Sequence, residues 1–116
     1  MSATIQPYSN YTNPPGPLQA VNQQAASYTL QAPDFNQRVE FNSATAVTLT
    51  IPAGVFPVGC SIQIYNLGAG AVAVAAGAGV TIHAKAADAH LAAQFSVAFV
   101  DQVRLNEWYF YGDITT

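Results

Sequence analysis

The stretch Leu67-Gly-Ala-Gly-Ala-Val-Ala-Val-Ala-Ala-Gly-Ala-Gly-Val-Thr-Ile-His83 decides the fold class. Its residues are almost all small or β-branched, and two Gly-Ala-Gly triplets, 68–70 and 77–79, punctuate it. Glycine weakens helices and opens turns. Between the triplets Val72 and Val74 alternate with alanine, which is the two-residue period of a strand. The run therefore reads as turn, strand, turn, strand. It offers thin strands and smooth faces for packing, and almost no polar side chain with which to build an enzyme site.

The same pattern extends outward. Val39 and Phe41 alternate with polar neighbours in Arg38-Val-Glu-Phe-Asn, and Val47, Leu49 and Ile51 alternate with Thr48 and Thr50 before Pro52-Ala-Gly ends the run. Gly59-Cys-Ser-Ile-Gln-Ile-Tyr-Asn sets Ile62 and Ile64 on one side. Further on, Gln94-Phe-Ser-Val-Ala-Phe-Val, Val103-Arg-Leu and Glu107-Trp-Tyr-Phe-Tyr-Gly-Asp-Ile read as strands, and the Ala-rich segment 85–93 as a loop or one helical turn. Short strands separated by Gly, Pro and Asn turns predict an all-β fold, a small antiparallel β-sandwich or barrel, over residues 27–116. Trp108 is the expected core anchor. Cys60, the single cysteine, is read as a buried small hydrophobe. Residues 1–26 are polar and proline-rich, and Pro14, Pro15 and Pro17 favour extended backbone. They are read as an extended N-terminal arm that could reach about 85 Å at ~3.3 Å per residue. Tyr8, Tyr11, Pro14, Pro15 and Leu18 are its candidate partner-binding residues.

Composition points to assembly. Charged residues make up 8% of the 116, and hydrophobic residues 51%. A small domain leaves much of its surface in water, so a surface this poor in charge is expected to be covered in part by other subunits. The net charge is −3, and Arg38, Lys85 and Arg104 are the only Lys or Arg residues. Three cations on separate segments cannot line up on phosphates, which argues against direct nucleic-acid binding and against an anionic membrane surface. No secretion signal or membrane span is read in the chain.

The motifs that imitate catalytic or cofactor sites fail on context. Gly68-x-Gly70-x-x-Ala73 resembles a dinucleotide fingerprint, but that chemistry needs a helix N-terminus at the glycines, and here a strand follows. His83, Asp88 and His90 fall in one short window and could ligate a divalent ion, yet nothing nearby orients them, so no metal or other cofactor is expected. Ser61 lacks a nucleophile elbow. Asp34, Asp101 and Asp113 fall at expected turns, where carboxylates are solvated. No catalytic residue is assigned, and the chain is not read as an enzyme. The last strand carries aromatics on both sides, with Tyr109 and Tyr111 as possible glycan or subunit contacts.

Taken in order, Val47-Thr-Leu-Thr-Ile-Pro-Ala, Phe56-Pro-Val-Gly, Ile62-Gln-Ile, Leu67-Gly-Ala-Gly, Gly77-Ala-Gly-Val-Thr-Ile, and Asn106-Glu-Trp-Tyr with Gly112-Asp-Ile form a set. The set resembles a small β module that is widespread in structural proteins of tailed bacteriophages, and the resemblance covers residues 28–114. It implies a capsid decoration (cement) protein on the outer capsid surface of the virion, a homotrimer that binds the major capsid protein and stabilises the assembled shell. The alternative it implies is a tail-fibre or tail-tip module that binds host surface glycans, with Tyr109 and Tyr111 as stacking residues.

Overall fold

Alternation along each long strand sets the interior. Val47, Leu49 and Ile51 are buried while Thr48 and Thr50 are not, and the same holds for Ile62 and Ile64, for Val72 and Val74, and for Trp108 and Phe110. The structure, a computed structural model, describes residues 21–116. The arm residues Tyr8, Tyr11, Pro14, Pro15 and Leu18 lie outside the described residues. The strands are β1 (Val21–Gln24), β2 (Tyr28–Thr29), β3 (Arg38–Phe41), β4 (Val47–Ile51), β5 (Ser61–Asn66), β6 (Val72–Ala76), β7 (Thr81–Ala84), β8 (His90–Leu91), β9 (Val97–Arg104), β10 (Glu107–Gly112) and β11 (Ile114–Thr115). A six-stranded sheet runs β1-β3-β5-β9-β10-β7, and a five-stranded sheet runs β11-β8-β6-β4-β2.

The two-layer all-β arrangement expected from the sequence is present, but its pairing is mixed. Successive strands from β1 to β6 alternate between the two sheets, so the chain winds as a flattened coil and each turn adds one strand to each sheet. The ladders β1–β3, β3–β5, β2–β4 and β4–β6 are therefore parallel, as is β7–β10. Antiparallel pairing is confined to β9 against β5 and β10, and to β8 against β6 and β11. A two-residue period reports which side a residue faces; it carries no information on which strand lies beside it. The hydrogen bonding also turns the corners between sheets: Asn42 N–H donates to Gln24 O (2.9 Å), and Leu67 N–H to Phe41 O (2.7 Å). Val21–Gln24, read as part of the arm, forms the edge strand of the six-stranded sheet.

Two consecutive turns are in register at one spacing. Arg38 pairs with Gln63 and Val47 with Val72, 25 positions apart in both sheets. At that offset Ser43-Ala-Thr-Ala-Val-Thr-Leu superposes on Gly68-Ala-Gly-Ala-Val-Ala-Val. The glycines are required where the second copy crosses the first. A Cβ on Gly68 would overlap the backbone of Ser43, and one on Gly70 the backbone of Thr45. Gly70 N–H donates to Ser43 O at 2.8 Å across this contact.

Between the sheets, Trp108 is 1% exposed and meets Phe56 edge to face with centroids 5.9 Å apart. Cys60 is free and fully buried, and desolvation pushes its thiol pKa up. Two buried amides tie the loops to this core. Asn66 Nδ2 donates to Gly70 O and Ala93 O, while its Oδ1 accepts from Gly68 N–H. Gln102 Nε2 donates to Phe56 O and Pro57 O, and its Oε1 accepts from Asn106 N–H.

The interior changes character at the β1/β2 end. Asn22 and Gln24 lie beside Val39 and Phe41 on the inner side of their sheet. Asp34, expected at a solvated turn, is instead 3% exposed there. It accepts from Asn22 Nδ2 (2.8 Å), Tyr28 Oη (2.6 Å) and Gln31 N–H (2.8 Å). Burial first, then the bond to Asp34, pushes the Tyr28 phenol up to about 12.

Three outcomes are expected from these contacts. Gly70→Ala forces backbone apart and is expected to cost roughly 2–4 kcal/mol in urea unfolding. Tyr28 keeps its proton in the folded chain while the unfolded phenol ionises near 10.0. Its contribution is therefore complete below pH 10 and lost as pH rises toward 12. Alkaline unfolding curves should show that loss, and Tyr28→Phe should remove it. Asp34→Ala, which strands three donors, should cost about 3 kcal/mol at neutral pH.

Candidate functional site

With Trp108 and Phe110 pointing inward, alternation turns Tyr109 and Tyr111 to the outer face of the six-stranded sheet, where they are 47% and 44% exposed. Register places neighbours beside them. One row across the strands reads Ser61, Asp101, Tyr109, His83, and the next reads Arg38, Gln63, Phe99, Tyr111. The aromatic rings of this face are ordered by one another. Phe99 and Tyr111 stack with centroids 5.4 Å apart and planes at 18°, and His83 lies 5.1 Å from the Tyr109 ring. At the far side of the face the Arg38 guanidinium sits 4.9 Å above the Tyr65 ring, a cation held on a π-cloud, and it pairs with Glu40 at 3.1 Å.

Carboxylates fix the polar atoms of this face. Asp101, read from sequence as a solvated turn residue, lies within β9 and accepts from Ser61 Oγ (2.6 Å) and Tyr111 Oη (2.8 Å). The bond from Tyr111 to Asp101, with burial second, raises the phenol pKa. Glu107 stands between His83 Nε2 at 2.9 Å and Arg104 Nη1 at 3.6 Å. Asp113 follows β10 and accepts from the buried Ser96 hydroxyl at 2.8 Å, which ties β11 to the 92–96 loop.

Where β10 meets the edge strand β7, the face deepens into a groove of about 670 Å³ bordered by His83, Lys85, Asp88, Tyr109 and Tyr111, with Ile114 at its end. Small-molecule sites commonly occupy roughly 300–1,000 Å³. The segment after β7 shapes one wall. It is a single 3-10 turn, Lys85–Ala87, in which Ala86 and Ala87 adopt φ of 56° and 57°. Left-handed backbone costs an alanine roughly 1–2 kcal/mol, and here it carries Lys85 and Asp88 to the groove. A smaller cavity of about 390 Å³, reached by Asp88 from the other side, opens between the sheets against Val74, Ile82 and Phe110.

The other sequence candidates separate in space. His83 faces out from the six-stranded sheet. His90 precedes the buried Leu91 on β8 and so faces out from the five-stranded sheet, beside Ala73. Among the described residues no three of His, Cys, Asp and Glu converge as metal ligands. Gly68 and Gly70 open strand β6 and not a helix. The outer face of the five-stranded sheet carries Thr29, Thr48, Thr50, Ala73 and Ala75, with His90 and Thr115 on its outer strands. It holds no Asp, Glu, Lys or Arg among the described residues.

Tyr109 and Tyr111 were legible as outward residues from alternation alone. Lys85 and Asp88 were not legible as their neighbours, because a loop after an edge strand has no period to read. Comparison with protein-family models, with curated proteins and with solved structures returns no match. Asp101→Asn should return the Tyr111 phenol toward its ordinary value of 10.0, seen as earlier tyrosinate absorbance in an alkaline titration. An unchanged titration would show that the bond does not hold the proton.

Proposed function

We propose that this chain is a structural protein of a tailed-bacteriophage particle, a capsid decoration protein that self-associates and binds the assembled shell through its major capsid protein. The observation that carries the reading is the outer face of the five-stranded sheet. Parallel strands are ordinarily covered on both sides, and the parallel β2-β4-β6 part of this mixed sheet presents a partly exposed surface of alanine and threonine with no formal charge among the described residues. Such a surface loses little on desolvation and meets a copy of itself without stranding an ion. The ordered resemblance of residues 28–114 supplies the kind of particle. A protein that binds the assembled shell more tightly than free capsid subunits stabilises the shell by linkage, and an assembly of three copies would add avidity.

A second reading is favoured by the aromatic outer face of the six-stranded sheet: a tail-fibre or tail-tip module that holds host surface glycans on Tyr109 and Tyr111.

Sedimentation equilibrium should find a trimer in solution. Ala75→Arg, which puts a guanidinium on the uncharged face, should reduce it to a monomer without lowering thermal stability by more than about 1 kcal/mol. Purified particles should contain the protein in numbers matching the local three-fold sites of the shell. A few copies confined to the tail would overturn the capsid assignment.

A further inference from the structure

We propose that the groove between β10 and the 85–88 turn that leaves β7 is a binding site for one neutral pyranose residue of a polysaccharide, an inference that rests on the glycan-binding reading of Tyr109 and Tyr111. Three observations carry it. The groove is of small-molecule size and is bordered by rings that are already fixed: Tyr109 against His83 and Tyr111 against Phe99. An aromatic ring has a flat apolar face with negative π-density. The C–H face of a pyranose is flat, apolar and weakly positive, so the two are complementary. Because the rings are held by their neighbours, little rotamer freedom remains to be lost on binding.

The second observation is the polar wall. Lys85 and Asp88 border the groove, and neither side chain has a hydrogen-bond or ionic partner among the described residues. One is a pure donor and the other a pure acceptor. Adjacent sugar hydroxyls each donate one hydrogen bond and accept others, so a single pair of hydroxyls can satisfy both groups. The remaining carboxylates of this face, Glu40, Asp101 and Glu107, are engaged by Gln23, Arg38, Ser61, Tyr111, His83 and Arg104.

The third observation is charge, which selects the class of sugar. Lys85 and Asp88 cancel within the groove, and the whole chain carries a net charge of −3. A uronic or sialic acid would gain one cation, lose to the nearby Asp88, and approach a protein of its own sign. A neutral hexose meets none of that opposition. The strained Ala86–Ala87 backbone fits this arrangement, since it holds Lys85 and Asp88 on opposite ends of one short turn at the groove wall.

The test uses the full chain and soluble probes: neutral gluco-, manno- and galacto-oligosaccharides against oligogalacturonate and sialyllactose, followed by amide chemical-shift titration. The expected result is saturable binding of at least one neutral series, with shifts confined to residues 83–88 and 109–114. Tyr109→Ala should weaken that binding at least about tenfold, and Lys85→Gln and Asp88→Asn each by about three- to tenfold. Tyr109→Phe keeps the ring and should retain most of the affinity, which separates stacking from a folding defect. Preferential binding of the acidic probes at these residues would overturn the neutral assignment while leaving the glycan reading intact. Binding that shifts only residues elsewhere would overturn the site. No binding of any probe at about 10 mM would remove the glycan reading itself.

Discussion

The contact on which this molecule depends is backbone against backbone: the Gly68–Gly70 corner lying directly on the Ser43–Thr45 corner. Nothing larger than a hydrogen fits there. Once the corners are seated, β6 has one register on β4 and β5 one register on β3, because a slip of a single residue would turn every inner valine and isoleucine outward. The inner row Val47, Leu49, Ile51, Val72, Val74 then fills the space opposite Ile62, Ile64, Val100 and Trp108, a continuous apolar cluster with the buried Asp34 set apart at the β1/β2 end. The two outer faces are a by-product of that seating. Among the described residues, those open to a ligand or partner are the ones the winding has turned away from the core.

Those two faces differ in kind. The five-stranded sheet shows alanine and threonine, which are short, uncharged and nearly flat. The six-stranded sheet shows rings and ions that hold each other in place. Exposed ion pairs such as Arg104 with Glu107 contribute little to stability. Their effect here is positional, since Glu107 sets the imidazole of His83 beside Tyr109. The proposed self-association and the proposed glycan contact thus fall on opposite faces of the molecule.

The sequence made the inner and outer sides of most strands readable, because alternation depends only on neighbouring residues. Val39, Phe41, Leu49, Ile62 and Trp108 are all inside for that reason, and Tyr109 and Tyr111 outside. The winding was harder to read. Its 25-residue offset joins Ser43-Ala-Thr-Ala-Val to Gly68-Ala-Gly-Ala-Val, but the serine and threonine of one copy stand where the other has glycine, and that exchange hides the relation. The substitution is itself the structural clue: the second copy lacks side chains there because its corner lies on the backbone of the first. Polar residues misled in a different way. Asp34, Asn66 and Gln102 look like turn or surface residues by type, and each is buried because loop backbone or neighbouring side chains supply its partners. Local sequence does not reveal where such partners come from.

A flattened coil of parallel strands has no inherent last turn; one more winding, from this chain or another, could template onto the end as protofilaments grow. The cluster of Asn22, Gln24, Tyr28 and Asp34 works against that outcome. An incoming winding would have to bring its apolar side chains down onto amides, a phenol and a carboxylate whose hydrogen bonds are already committed. The described coil therefore ends at β1 and β2 on a polar cap, unlike its apolar middle.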